Sequence, residues 1–225
     1  MSRPKHLLRV AVLASGRGSN FAALLLAREC GDLPIEFVLV ASDRADAGAL
    51  ALARSAGIPT RVLDPSEYPD RRAFDLALFR QLAESGAELL VMAGFMRIID
   101  GAALAPWIGR MINIHPSLLP KYRGLHTHRR ALEAGDREHG ASVHYVTAEL
   151  DGGPVIAQVH IAIEPADDEQ RLAQRLLPLE HRLLVAVVAA IAADKLALAD
   201  DTVQFEGRTL AQPLQWVDDR LVSTG

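Results

Sequence analysis

Cysteine is nearly absent from this chain of 225 residues. The single cysteine, Cys30, cannot form an internal disulfide, so a reducing compartment is expected. Long hydrophobic runs are also missing. The longest, residues 183–193, is much shorter than the roughly 20 residues with which a helix crosses a bilayer. No stretch resembles a secretion signal. We therefore expect a cytoplasmic protein that does not enter a membrane.

Concentrated positive charge and metal-binding motifs are the next absences. The formal net charge is −4 and no block of lysines and arginines occurs, so no nucleic-acid partner is expected. The closest pair of histidines, His126 and His128, has no cysteine or carboxylate at ligand spacing, and no His-Glu-x-x-His occurs. No metal site is expected either. Half of the residues are hydrophobic, which is enough for a sizeable core.

Strand-like and helix-like segments alternate along the first hundred residues. Apolar runs typical of strands lie at residues 8–13, 35–41, 59–63 and 89–93, and helical patterns at 21–28, 48–56 and 71–84. This alternation predicts an α/β fold, namely a Rossmann-like, open, mostly parallel twisted sheet flanked by helices. The length fits one domain, and no linker or internal repeat is evident.

Later segments predict an antiparallel C-terminal addition to that sheet. Residues 141–146 and 155–163 are strand-like and flank a Gly-Gly turn, and residues 203–205 and 208–210 suggest a small terminal hairpin. Between them, Asp167 and Gln170 have the spacing of a capping box for a long helix. Pro178 lies inside that helical pattern and should kink the helix or start a second one.

A glycine-rich turn, Ser15-Gly16-Arg17-Gly18-Ser19-Asn20, joins the first strand to the first helix. Glycine lets the backbone approach a ligand, and the free N–H groups of a helix start attract an anion. Phe21 replaces the third glycine of the dinucleotide fingerprint, and the lysine of a P-loop is missing. A single phosphate on a small substrate is therefore favoured. A plain capped turn, or a nucleotide held by Asp43 after the second strand, stays open.

Asn113 and His115 form the most informative pair. Side chains alternate along a strand, so the two emerge on one side of an extended segment, and Pro116 favours extended geometry at His115. Together they can donate hydrogen bonds to an oxygen that becomes negative during acyl transfer. A nearby carboxylate would keep the imidazole protonated. A turn with satisfied polar groups would show the same spacing.

The longer pattern around this pair resembles the folate-dependent formyltransferases. The motifs that carry the resemblance are Asn113-x-His115-x-Ser117-Leu118-Leu119-Pro120, Gly124-Leu125-His126-Thr127-His128-Arg129, Gly140-x-Ser142-Val143-His144 and Leu150-Asp151-Gly152-Gly153-Pro154. The resemblance implies transfer of a formyl group from 10-formyltetrahydrofolate to the amine of 5-phosphoribosylglycinamide, in purine biosynthesis. It also implies small-molecule partners only, and a monomer or homodimer.

The resemblance assigns roles to residues by their matching positions. Asn113, His115 and Asp151 would be catalytic, with Asp151 raising the pKa of His115. Residues that would bind the phosphoribosyl substrate are Gly18, Ser19, Asn20 and Glu180. Residues that would bind the folate are Arg71, Met96, Arg97, Ile98, Ile99 and Asn113. One formyltransferase domain would span residues 1–225, with a phosphate-binding half at about 8–100, a folate and catalytic half at about 101–192, and a tail at 193–225.

Three other functions fit parts of the pattern. A formyltetrahydrofolate hydrolase shares Asn-x-His and Asp, but its class carries an N-terminal regulatory module for which we expect no room before Val10. A methionyl-tRNA formyltransferase has Arg-Gly-Ala-Ala-Pro where this chain has residues 123–127, and continues into an RNA-binding domain where we expect only a short tail. A non-catalytic phosphate- or nucleotide-binding module would explain the glycine-rich turn alone.

Overall fold

The structure is a computed structural model that describes residues 6–95 and 97–223. Contacts between residues divide the chain into two compact units, Met1–Met111 and Ile112–Gly225. Across the described ranges, no helix combines the length and the apolar character that a membrane crossing needs.

The first unit alternates strands and helices. Its strands are β1 (Leu8–Leu13), β2 (Ile35–Ser42), β3 (Thr60–Val62) and β4 (Leu89–Met92), and its helices are α1 (Ser19–Glu29), α2 (Gly48–Ser55), α3 (Arg71–Glu84) and α4 (Gly101–Leu104). The strands lie in the order β4-β1-β2-β3, and each neighbouring pair is parallel. All four residues of β4 are buried, as is typical of a parallel strand that is covered on both faces.

The second unit is richer in antiparallel strands. Its strands are β5 (Met111–His115), β6 (Glu138–Tyr145), β7 (Val155–Ala162), β8 (Leu196–Ala199), β9 (Thr202–Phe205), β10 (Arg208–Thr209), β11 (Leu214–Val217) and β12 (Arg220–Val222), and its helices are α5 (Thr127–Glu133) and α6 (Glu169–Ala192). The pairs β5/β6, β6/β7 and β11/β12 are antiparallel, whereas β11 joins β7 in parallel. β8, β9 and β10 form a separate small antiparallel sheet.

These elements confirm the predicted fold class, a mostly parallel open sheet flanked by helices with antiparallel additions. The predicted strands and helices of the first unit lie within one residue of their predicted bounds, except that α1 begins two residues earlier. The hairpin of β6 and β7 and the terminal hairpin are also confirmed. α5 was missed, because its seven residues follow a polar loop and show little hydrophobic periodicity.

Two details of α6 differ from the prediction. The residue that caps the helix is Asp168, whose side chain accepts a hydrogen bond of 2.7 Å from the N–H of Arg171. Asp167 instead accepts from the N–H of Glu164 at 2.9 Å and pairs with Arg175, so the predicted capping box is wrong by one residue. Of the two outcomes expected at Pro178, a kink or the start of a second helix, the second is wrong, because one helix runs through Pro178. Buried leucines before and after Pro178 stabilise the continuous helix despite the missing N–H.

Candidate active site

Asn113 and His115 lie two residues apart on β5, in the second unit. The antiparallel partner opposite Asn113 is His144 on β6, and the partner opposite His115 is Ser142. The Asn113 Nδ2 atom lies 3.1 Å from His144 Nε2 and 3.5 Å from Asp151 Oδ1. The strand register therefore places the Asn113 amide beside the His144 imidazole, and the Asp151 carboxylate joins them.

Asp151 is held in the turn that follows β6 and precedes β7. Its backbone adopts a left-handed conformation, with φ of 46°. A side chain at Gly153 would overlap the carbonyl oxygen of Tyr145, so only glycine lets the turn approach β6 this closely. Asp151 Oδ2 accepts the N–H of Gly124 at 2.9 Å and lies 3.5 Å from His115 Nδ1. The turn thus presents a carboxylate whose two oxygens face different partners.

His115 is 6% exposed, and its ring nitrogens have different neighbours. Nε2 lies 2.9 Å from the carbonyl oxygen of Tyr122, which can only accept, so Nε2 carries a hydrogen and donates it. Nδ1 faces Asp151. When His115 is neutral, its Nδ1 lone pair faces a carboxylate. When His115 is protonated, Nδ1–H points at that carboxylate, and the contact becomes attractive.

The pKa of His115 lies below its ordinary value. Burial is the largest cause, because it disfavours the charged ring, and His144 and Arg130 act in the same direction. The hydrogen bond to the Tyr122 carbonyl and the charge of Asp151 both raise the pKa of His115, but they do not outweigh burial. Asp151 therefore acts in the direction expected from the sequence, while the net shift is the reverse of that expectation.

Asp151 itself is held as a carboxylate. Burial raises the pKa of Asp151, but the 3.6 Å contact with His144, the charge of His115 and the Gly124 N–H together outweigh burial and lower the pKa below its ordinary value. A buried carboxylate that stays ionised beside a buried imidazole forms a charge pair when the ring gains a proton. This is the arrangement that stabilises an imidazolium in a site of low polarity.

The glycine-rich turn of the first unit is shaped for close backbone approach. Gly18 precedes α1 with φ of 80°, and a Cβ there would come within 2.7 Å of Ala49 Cα. Across the ranges that the structure covers, no side chain caps the start of α1, and the buried Oδ1 of Asn20 has no hydrogen-bond partner. Ser19 begins the helix. An uncapped helix start with a tight glycine is a suitable place for an anion.

Apart from Asn113 on β5 in the second unit, the predicted folate residues that are described lie in the first unit. Arg71 is the first residue of α3, and Arg97 lies over the ring of Phe74, with its guanidinium carbon 4.6 Å from the centroid. Arg97 also approaches Asp43 at 3.9 Å. Burial raises the pKa of Asp75, and the charges of Arg97 and Arg71 oppose that shift, so both arginines lie near this one carboxylate.

The remaining predicted residues differ in environment. Ile98 is 50% exposed, whereas Ile99 is 8% exposed. An exposed isoleucine beside a buried one is compatible with an apolar ligand surface. Met96 lies outside the described residues. Glu180 lies on α6 in the second unit and is 7% exposed.

The histidines outside the Asn113 cluster include a pair in contact. His128 Nδ1 lies 3.0 Å from His139 Nε2. Burial and the neighbouring His128 lower the pKa of His139 to about 4. Within the residues that the structure describes, no group of three or more histidines, cysteines or carboxylates is arranged to hold a metal ion. The His128–His139 contact joins two rings whose pKa values are both lowered by burial.

The sequence profile of the formyl transferase family matches residues 8–188. The chain belongs to the formyl transferase family. It is 42% identical over 203 residues to the phosphoribosylglycinamide formyltransferase of Escherichia coli, and the match covers 90% of this chain and 96% of that protein. The chain is also 42% identical to part of the trifunctional purine biosynthetic protein adenosine-3 of Drosophila pseudoobscura pseudoobscura, of which it spans 14%.

A solved formyltransferase has the same fold. The phosphoribosylglycinamide formyltransferase of Coxiella burnetii, solved in complex with CHES, superposes with a TM-score of 0.88 at 45% identity, over 92% of this chain and 97% of that one. The resemblance to formyltransferases and the predicted fold class are therefore confirmed.

Three further residues of this cluster lie outside the predicted catalytic and binding residues. His144, Tyr122 and Gly124 contact Asn113, His115 and Asp151 respectively. His144 belongs to the motif Gly140-x-Ser142-Val143-His144, and its place opposite Asn113 follows only from the register of β5 and β6. Tyr122 and Gly124 act through backbone atoms, which a residue pattern does not reveal.

Proposed function

We propose that this chain transfers the formyl group of 10-formyltetrahydrofolate to the amine of 5-phosphoribosylglycinamide, a step of purine biosynthesis. The observation that carries the proposal is the cluster of Asn113, His115 and Asp151 in a chain that matches phosphoribosylglycinamide formyltransferases over nearly its whole length. Both substrates are small molecules. We propose a cytoplasmic protein without metal or nucleic-acid partners, acting as a monomer or homodimer.

The amine of the acceptor attacks the formyl carbon directly. A bond forms between that nitrogen and the carbonyl carbon, and the carbonyl electron pair moves onto oxygen. The bond from carbon to the folate N10 then breaks, the amine loses a proton and N10 gains one. Holding both substrates in one complex supplies much of the rate, because a bimolecular encounter becomes a step within one assembly.

Asn113 and His115 would stabilise the negative oxygen. The hydrogen bond from Asn113 Nδ2 to Asp151 is long, at 3.5 Å, and therefore weak. The formyl oxygen can replace Asp151 as the acceptor of this N–H at little cost. His115 Nε2–H donates to the Tyr122 carbonyl in this structure and would exchange that partner for the formyl oxygen. As the oxygen becomes negative it raises the pKa of His115, in the same direction as Asp151. His115 therefore gains its proton at the stage of the reaction when the formyl oxygen becomes negative.

Asp151 would serve the proton transfers as well. Its ionised oxygens lie 3.5 Å from His115 Nδ1 and 3.6 Å from His144 Nε2, and a water held there could carry the proton from the amine to N10. We further assign the substrate phosphate to Gly18, Ser19 and Asn20 and the ribose hydroxyls to Glu180. The folate would lie against Met96, Arg97, Ile98, Ile99 and Asn113, with its acidic tail at Arg71.

We retain the division of one formyltransferase domain, residues 1–225, as a proposal. A phosphate-binding half would occupy about 8–100, a folate and catalytic half about 101–192, and a tail 193–225. The glycine-rich turn lies in the first of these stretches and the Asn113 cluster in the second.

The function is tested by the acceptor dependence of turnover. Purified protein with 10-formyltetrahydrofolate should release tetrahydrofolate at a substantial rate only when 5-phosphoribosylglycinamide is present, because the amine and not water is the nucleophile. Product would be followed by its absorbance. Equal turnover without the acceptor would identify a hydrolase, and formylation of charged initiator tRNA would identify a tRNA formyltransferase.

The phosphate assignment is tested by Gly18→Ala. The added Cβ would meet the backbone of Ala49, so the turn must shift, and its N–H groups would no longer point at the phosphate. We expect the KM for 5-phosphoribosylglycinamide to rise about 10-fold, which corresponds to ~1.4 kcal/mol of binding. The dissociation constant of a folate analogue, measured by calorimetry, should stay within about twofold.

Gly31→Ala is the matched control for Gly18→Ala. Gly31 has a similar φ of 83°, but a Cβ there meets nothing within 4 Å. It therefore imposes the same backbone strain without disturbing the turn. If Gly18→Ala weakens folate and not the phosphoribosyl substrate, the glycine-rich turn has been assigned to the wrong ligand.

A further inference from the structure

His144 belongs to the cluster around Asn113 and Asp151, but no step of the proposed formyl transfer is assigned to it. It is 2% exposed and lies opposite Asn113 in the antiparallel pairing of β5 and β6. Its Nδ1 atom lies 2.9 Å from the carbonyl oxygen of Tyr145. A carbonyl only accepts hydrogen bonds, so Nδ1 carries a hydrogen, and in that tautomer of the imidazole the Nε2 atom is an acceptor.

That acceptor determines which end of the Asn113 amide faces the cluster. Nδ2 of Asn113 lies 3.1 Å from His144 Nε2, so one of its two hydrogens is donated to the imidazole. Rotating the amide by half a turn would bring Oδ1 against the Nε2 lone pair and the Asp151 carboxylate. Three acceptors would then meet without a hydrogen between them, which is costly in a buried site.

The second hydrogen on Asn113 Nδ2 is the one that can be donated to the formyl oxygen. It points to Asp151 Oδ1 at 3.5 Å, the longer of the two contacts. If the formyl oxygen replaces Asp151 as its acceptor, the shorter bond to His144 still anchors the amide. Without that anchor the amide can rotate and present Oδ1 to an oxygen that is becoming negative, which repels it.

We propose that His144 is a positioning residue for formyl transfer, which holds one N–H of Asn113 so that the other is directed at the formyl oxygen. The proposal rests on the proposed function for its consequence in catalysis. It predicts that His144 affects the rate through Asn113, without touching either substrate.

Three variants of His144 separate this role from simple packing. Gln places Oε1 as many bonds from Cβ as the imidazole Nε2, so His144→Gln keeps an acceptor for Asn113. His144→Asn places its polar atoms at the position of Nδ1 instead, and His144→Leu has no acceptor. We expect kcat to fall about 10- to 100-fold in the Leu and Asn variants, the scale of a misplaced reacting group. The Gln variant should stay within about fivefold of the parent, and KM should change little in all three.

A double-mutant cycle tests whether His144 acts through Asn113. In the Asn113→Ala background the amide is gone, so His144→Leu should lower kcat by no more than about twofold. A full additional loss in that background would overturn the proposal. So would a Gln variant no better than Asn, a comparison that remains available if the Leu variant does not fold.

A spectroscopic readout keeps this test apart from the function itself. The side-chain amide protons of Asn113, assigned in a ¹H–¹⁵N spectrum, should change shift and exchange faster with water in His144→Asn than in His144→Gln. Equal spectra in the two variants would overturn the positioning role. A folded parent that transfers no formyl group would overturn the proposed function, while the spectra would still decide whether His144 holds the amide.

Discussion

His115→Ala should lower kcat by about 10²- to 10³-fold, the scale for the loss of one preorganised donor to a developing oxyanion. The variant loses Nε2–H, and with it the only charge-assisted donor that the mechanism provides. KM for both substrates should change little, because the ground-state carbonyl oxygen gains less from this donor than the transition state does. Steady-state kinetics with saturating concentrations of each substrate measure both quantities.

The fold should survive this substitution. His115 contributes its hydrogen bond to the Tyr122 carbonyl, and the loss of such a bond costs about 1 kcal/mol. His160→Ala is the matched control, since His160 lies on β7 beside Glu138 at the surface and should keep the parent rate. A His115→Ala enzyme within fivefold of the parent would remove His115 from the mechanism and leave Asn113 as the main donor.

Local sequence patterns predicted most of the strands and helices of the first unit. They also predicted that Asn113 and His115 lie on the same side of β5. Alternation along an extended strand predicted that Asn113 and His115 emerge together, and both lie 3.5 Å from an oxygen of Asp151. Asp70, one residue before α3, caps that helix through the N–H of Ala73 at 2.8 Å, and α3 matches its predicted bounds. The formyltransferase resemblance and the enzyme class are confirmed by the comparisons.

Features set by long-range contacts could not be predicted in this way. His144 meets Asn113 only because β5 and β6 pair in one register. The direction of the His115 pKa shift depends on how deeply the ring is buried, which no motif records. Pro178 was expected to kink the helix or start a second one, yet the leucines around it are buried and α6 runs through it as one helix. In each case packing across the fold outweighed the local signal.

The last prediction concerns the charge of Asp151 and the pH dependence of the rate. Asp151→Asn keeps the size of the side chain but removes the negative charge that raises the pKa of His115. Burial already holds this pKa below its ordinary value, and the substitution lowers it further. A rate that needs the imidazolium is fully present below the pKa of His115 and is lost as pH rises through it. The upper limb of the pH–rate profile should therefore move to lower pH.

The loss in Asp151→Asn should consequently depend on pH. We expect kcat to fall at least about 10-fold at neutral pH and above, approaching the cost of losing the charged donor altogether, and to fall least in acid. Glu138→Gln is the matched control, because Glu138 lies 3.7 Å from the exposed His160 and forms a carboxylate–imidazole pair away from the cluster. Its profile should overlay that of the parent. If the profile of Asp151→Asn also overlays the parent in height and shape, then Asp151 only shapes the turn, and the imidazolium of His115 is stabilised by the formyl oxygen alone.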